Sequence, residues 1–232
     1  MRTKGTGSAL DRSGFCGYAY VVSQDAPFSG PARQKSGPTR PFPPAGNFPV
    51  PTDDDCTRFW DICSVPDHIR EHSLQTALVA GSLAVRANEC GLPVCVQSVR
   101  ASGLLHDLAK EYTIRHGGKH AQLGAAWTMD LTKNPAVAQG VMHHVWWPWE
   151  IDPARYFLPL AVLYGDKRAK HEKLVSLDVR YEDLFERYGG SPEIKERIKM
   201  SLAQAKAVES ALSELLSVPL NACTFAGGRL VD

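Results

Sequence analysis

The chain has 232 residues, 44% of them hydrophobic, and a formal net charge of +1, which allows one ordinary domain with a real core plus extensions. Near-neutral charge leaves no electrostatic footprint for a nucleic-acid polymer or an anionic membrane, and no apolar run is long enough to span a bilayer. Six cysteines (Cys16, Cys56, Cys63, Cys90, Cys95 and Cys223) lack CxxC spacing. That pattern argues against a zinc ribbon and a disulfide framework and fits a reducing cytoplasm. Arg2 and Lys4 precede only an interrupted apolar stretch from Phe15 to Val22, so no signal peptide is expected.

Within residues 1–54, Pro, Gly and Ser crowd Ala26 to Pro51, with Pro-Phe-Pro-Pro at 41–44. Such a segment buries too little apolar surface to offset its ordering entropy, so a disordered extension is expected. A folded domain is expected over 55–190, with a C-terminal helix and tail over 191–232. Asp53, Asp54 and Asp55, with Thr57, read as the start of a short helix bearing Phe59, Trp60 and Ile62. Pro66 then opens a helix to about Asn88, stopped by Cys90-Gly91. Pro93 opens the next, from Val94 to Lys110, with Val96, Val99, Leu104, Leu105 and Leu108 inside. Gly103 within it implies close approach of another helix. After His116-Gly117-Gly118 a helix runs from about Lys119, with small residues at 121 and 124–126. Asn134-Pro135 caps a helix ending in His143-His144, and an apolar segment, Val145-Trp-Trp-Pro-Trp149, follows. Further helices are expected from Tyr156 to about Lys170, from Leu177 to Tyr188 behind Ser176, and from Ser191-Pro192 to about Leu216. No strand is expected after residue 54. The fold class is all-α, an irregular helical bundle.

The pair His106-Asp107 lies at the end of an apolar helical run, where charge needs a reason. Neutral imidazole and carboxylate are the usual ligands for a borderline divalent metal, so the two read as adjacent ligands of a helical metal site. His68 and His72, four apart, share a helix face. His68 is read equally as a further ligand or as a polar neighbour that orients His72. His116 and His171 are read as facing solvent. Trp146, Trp147 and Trp149 are either a wall for a flat group or packing under the adjoining helices. Arg168, Lys170 and Lys173 either attract an anionic substrate or form a solvated basic helix end.

In chain order the pattern reads His72, His106-Asp107, His120, His143-His144 and Asp166. With Glu71-His72-Ser73, Leu105-His106-Asp107-Leu-Ala-Lys110, His120-Ala-Gln-Leu-Gly-Ala125 and Tyr164-Gly-Asp166-Lys167, it resembles the HD-domain superfamily of metal-dependent phosphohydrolases over about residues 60–190. The resemblance implies an HD-type bundle whose defining ligands fall on His72, His106, Asp107 and Asp166. It adds His120 and one or both of His143 and His144 for a second metal. The implied cofactor is one or two divalent ions, with Mn, Fe, Mg, Zn and Co undistinguished. The implied activity is hydrolysis of a phosphate ester or anhydride of a nucleotide-like small molecule by metal-activated water, with Asp107 and Lys110 as catalytic residues and Lys110 holding a phosphate oxygen. No nucleic-acid polymer and no membrane is expected as partner, and the location is cytoplasmic. The long final helix reads as a lid or a homodimer contact. The glycine-tyrosine-proline signature of the cyclic-di-nucleotide branch is missing after His144. Two alternatives accompany this reading: a di-iron oxygenase on the same scaffold, and a non-catalytic nucleotide-binding signalling module.

Overall fold

The computed structural model describes residues 47–231, so residues 1–46 of the extension expected over 1–54 lie outside the described part. The described chain is all-α apart from two small hairpins. Helix α1 (Asp53–Ile62) is held by a capping box: the Thr52 hydroxyl accepts from the Asp55 amide, and the Asp55 carboxylate accepts from the Thr52 amide. Helix α1 thus starts inside the segment 1–54 that the sequence assigns to the extension. Asp53 is drawn sideways instead, pairing with Arg100 at 2.7 Å and fastening α1 to the third helix.

Helix α2 (Asp67–Glu89) is the central strut. It packs against α3 (Val96–Leu105) and α7 (Phe157–Arg168), and α6 (Pro135–His143) closes against α3, α7 and α5 (His120–Thr132). One apolar cluster joins Val79, Leu83 and Ala87 of α2 to Leu160 and Leu163 of α7, Leu177 and Tyr181 of α8 (Leu177–Tyr188), and Ile198, Val208, Leu212 and Leu216 of α9 (Pro192–Leu216). A second joins Trp60, Ile69, Ala77, Leu104, Leu105, Val137 and Val141. Helix α2 contributes to both. Ser176 and Ser191 cap α8 and α9 as their sequence positions imply, and Asn134 with Pro135 starts α6.

The helix expected from Val94 to Lys110 is in fact two helices. α3 stops at Leu105, a tight turn spans 106–109, and a short helix, α4 (Lys110–His116), follows. The cause lies in which groups take the last carbonyls of α3. The Trp60 indole donates to Leu104 O at 2.9 Å, and the His106 ring donates from Nδ1 to Gly103 O at 2.8 Å. Those carbonyls are the ones that the amides of residues 107 and 108 would take in a continuing helix. Leu108 N instead donates to Leu105 O and Lys110 N to Asp107 O, the tighter three-residue step.

The expectation of no strand is corrected by two antiparallel hairpins. β1 (Ala169–Lys170) pairs with β2 (Lys173–Leu174), and β3 (Thr224–Ala226) with β4 (Arg229–Val231). Both are too short to leave a period-2 signal. Arg168, read from sequence as a possible solvated cation, is buried and structural. Its guanidinium donates to Leu220 O at 2.8 Å and to the Tyr164 hydroxyl, and its Nε to Val175 O at 2.6 Å.

Gly103 explains the spacing of α2 and α3. A Cβ there would lie 2.7 Å from the Ala77 Cα and 3.0 Å from its amide nitrogen, both backbone atoms that cannot swing away. Gly103→Ala is expected to destabilise the protein by about 1–3 kcal/mol through overpacking, although alanine is the better helix former. Denaturant unfolding reads the sign, and a stability gain would show that the helices have room to part.

Candidate metal centre

Five elements converge on one buried cluster. α2 brings His72, the turn after α3 brings His106 and Asp107, and α7 brings Asp166. His120 opens α5, and His144 follows the last residue of α6. All six are buried. Gly165 permits the approach of α7 beside Asp166, since a Cβ there would stand 2.8 Å from Thr76 O of α2.

His72 Nε2 lies 2.9 Å from Asp166 Oδ1 and 3.9 Å from Asp107 Oδ2. His106 Nε2 lies 3.3 Å from Asp107 Oδ2 and 3.7 Å from Asp166 Oδ1. The other oxygen of the same carboxylate, Asp107 Oδ1, faces His120 Nε2 at 3.4 Å and His144 Nε2 at 3.6 Å. Asp107 thus turns one oxygen to each of two groups of imidazoles.

The donor chemistry fits a cation. His106 and His144 repeat one device: Nδ1 donates to the carbonyl three residues earlier, Gly103 O at 2.8 Å and Val141 O at 2.7 Å. A carbonyl only accepts, so each ring carries its proton on Nδ1 and, when neutral, presents a bare Nε2 to the cluster. His120 Nε2 and His144 Nε2 stand 3.0 Å apart, a separation that needs a proton or a cation between the two nitrogens. His106 Nε2 and Asp107 Oδ1 are buried without a hydrogen-bond partner, a cost that ligation removes. Two triads within the cluster, His72–His106–Asp166 and His106–Asp107–His144, bring their donor atoms within 4.8 Å of one another. The nitrogen and oxygen donors suit a borderline divalent ion and leave the particular metal open.

Two lysines stand at the cluster, both buried. Lys110 Nζ is 2.6 Å from Asp107 Oδ2, and Lys167 Nζ is 2.5 Å from Asp166 Oδ2. Burial alone would raise both carboxyl pKa values. For Asp107 this is outweighed chiefly by Lys110 and His106, and for Asp166 by Lys167 with His106 and His72, so both stay well below the usual range. Burial would lower His106 too, but Asp107 and Asp166 reverse it and push it up to about 9. Burial wins at His120, which falls to about 3, and it also lowers His72 and His144.

The structure brings His72, His106, Asp107, Lys110, His120, His144 and Asp166 together. It does not bring His143, the other half of the expected pair. That ring packs against Trp147 and Trp149, with centroids at 5.5 and 4.9 Å, and belongs to neither triad. Trp147 is packed, 1% exposed, and Trp149 is 40% exposed. His68 and His116 are exposed, and His171 is half-buried beside Arg187 at 3.4 Å. Lys167 carried no role in the sequence reading. Its signal was adjacency to Asp166, which on a helix does not ordinarily place two side chains together.

An all-α bundle thus buries histidines and aspartates from five elements around one carboxylate, a donor set compatible with metal binding. The HD domain family model matches residues 69–189. The chain belongs to the HD domain family, a family of metal-dependent phosphohydrolases. It is 28% identical over 139 residues to Ribonuclease Y 2 of Pediococcus pentosaceus, covering 57% of this chain and 25% of that protein. It is 31% identical over 101 residues to Ribonuclease Y of Opitutus terrae, covering 43% and 18% respectively. The chain thus spans a quarter or less of the curated relatives it matches. No solved structure gives a significant match.

Two measurements test the cluster. With His106 protonated up to about pH 9 in the metal-free protein, its Nε2 must lose a proton to ligate. Metal affinity should therefore rise with pH up to about that value, and metal uptake should release protons, read by titration calorimetry in buffers of different ionisation enthalpy. Uptake without proton release at neutral pH is the contrary result. Separately, His144→Ala should weaken metal binding about tenfold or more, while His143→Ala should leave it unchanged.

Proposed function

We propose that the protein is a metal-dependent phosphohydrolase acting on a phosphate ester or anhydride of a nucleotide-like small molecule. The observation that carries this reading is the Asp107 carboxylate, with an oxygen toward each imidazole group and an ammonium against it. His72, His106 and Asp166 with one oxygen of Asp107 form one half of the site, and His120 and His144 with the other oxygen form the second. Divalent cations held by these residues would supply a water of lowered pKa and neutralise phosphoryl oxygens. The lysines do the chain's own part. With Asp107 and Asp166 serving cations, the Lys110 and Lys167 ammonium groups beside them would be free to hold and orient a non-reacting phosphate oxygen. The buried walls exclude bulk water, which strengthens each of these interactions.

The names of the relatives favour a second reading, cleavage of RNA. Against it stands the net charge of +1, which gives little of the counterion-release affinity on which polymer binding depends. The small-molecule reading is the stronger. The oxygenase alternative rests on no observation specific to this chain. Among the described residues no helix is long and apolar enough to cross a membrane.

Purified protein reconstituted with Mn, Fe, Zn, Mg or Co should release phosphate from at least one nucleotide or phosphomonoester, and chelation should abolish it. RNA shortening without phosphate release would transfer the assignment to the second reading. Oxygen-dependent turnover of iron-loaded protein would transfer it to the oxygenase. Lys110→Ala should raise KM about tenfold or more while metal content is retained. Unaltered kinetics would remove Lys110 from the phosphate role.

A further inference from the structure

Helix α9 lies beyond residues 69–189, the stretch that the family model matches, and none of the clustered side chains comes from it. Its inward stripe, Ile198, Ala205, Val208 and Leu212, is buried in the first apolar cluster. Three polar residues border that stripe, and each reaches across to another element. Ser201 Oγ shares a hydrogen bond with the Tyr181 hydroxyl of α8 at 2.7 Å, and Glu209 Oε1 accepts from the Tyr164 hydroxyl of α7 at 2.7 Å. The third, Gln204, engages the segment that follows His144.

The Gln204 contact differs in kind from the other two. Trp147 N donates to Gln204 Oε1 at 3.0 Å, and Gln204 Nε2 donates to Trp147 O at 2.8 Å. One side-chain amide thus pairs with both main-chain polar groups of a single residue, as the opposite residue of an antiparallel strand would. Burial of the Trp147 ring, 1% exposed, fixes its depth, but the hydrophobic effect is non-directional and leaves the peptide planes free to rotate. Two directional bonds to one planar amide remove that freedom.

The pinned residue is three positions from His144. Its indole donates to Glu150 O at 2.8 Å, and the His143 ring packs against it. On the other side, Lys167 Nζ approaches His144 O at 3.4 Å. The bond from His144 Nδ1 to Val141 O orients the ring within its own helix end. It does not fix where that helix end stands relative to Asp107, and the anchored segment after it does.

We infer that Gln204 is a positioning residue of the metal centre: by pinning Trp147 it sets where His144 presents Nε2 to Asp107 Oδ1 and to His120 Nε2. The inference rests on the division of the site into two halves made in the proposed function. It makes a helix outside the family-matched residues a working part of the centre. The half formed by His120 and His144 depends on Gln204, and the half formed by His72, His106 and Asp166 does not.

The test is titration of the full metal-free chain with Co(II), followed by visible absorption, which reports the coordination of each ion. Gln204→Leu, close in size and lacking both bonds, should weaken the ion held by His120 and His144 about tenfold and leave the other at its original affinity. In a His144→Ala background the same substitution should cause no further loss of metal affinity, because the group that it positions is gone. Leu212→Val opens a small void under α9 and keeps both Trp147 bonds, so it should lower the unfolding midpoint and leave Co(II) affinity unchanged. Four results each overturn the positioning role: unchanged affinity in Gln204→Leu, an equal loss at both ions, a further loss without His144, or the same selective loss in Leu212→Val. Its failure is distinct from that of the phosphohydrolase reading. Co(II) affinities that respond as expected in a protein that releases no phosphate remove only the hydrolase, and phosphate release by a protein whose Co(II) affinities ignore Gln204 removes only the positioning role.

Discussion

The structure depends on one buried carboxylate. Asp107 is 2% exposed, and a charge so placed is tolerable only with opposite charge and donors on every side. Lys110 neutralises Oδ2 from the next turn, while His72 and His106 approach that oxygen and His120 and His144 approach the other. These groups come from positions scattered between residues 72 and 144, and Asp166 completes the set. Holding them together is what α2, α3, α5, α6 and α7 accomplish jointly.

Backbone geometry does much of the aiming. The end of α3 is shaped by side chains that occupy its last carbonyls, and one of those side chains is the ligand-bearing His106 itself. The interruption of the helix and the orientation of the ring are thus the same event. His144 uses its own helix end in the same manner. Close helix contacts at Gly103 and Gly165 set the remaining distances, because each brings another helix's main chain to where a side chain would otherwise stand. Arg168 fastens the end of α7 to the segment around Leu220, so the region after α9 supports the helix that carries Asp166.

Much of this was legible in the sequence. The caps at Asn134, Ser176 and Ser191 are local chemistry and appear where expected, and the order of histidines and aspartates pointed to the family that the match over residues 69–189 shows. The break after Leu105 was hidden because Leu104, Leu105 and Leu108 are all buried, so apolar periodicity runs straight through it. Nothing local shows that a tryptophan 44 residues away takes the Leu104 carbonyl. The choice between His143 and His144 was hidden for a related reason. Adjacent residues at a helix end point about 100° apart, and only the docking of α6 decides which direction is inward. The Gly227-Gly228 pair was a hairpin signal that the helical reading passed over. The gathering of Lys170, Arg180 and Arg187 on Asp183 is tertiary, since Lys170 lies on a different element from the other two.

The ammonium–carboxylate pairs of Lys110 with Asp107 and Lys167 with Asp166 make the centre self-neutralising, with consequences for how its ligands cooperate. While each ammonium answers its own carboxylate, the His106 charge alone is left over for an incoming anion. A cation that took over the carboxylates would set both ammonium groups loose from that duty, and the same cluster would become more attractive to negative charge. Cation and anion would then be coupled ligands, and linkage requires the coupling to run both ways: whatever anion the loaded centre favours would raise its affinity for the cations by the same factor.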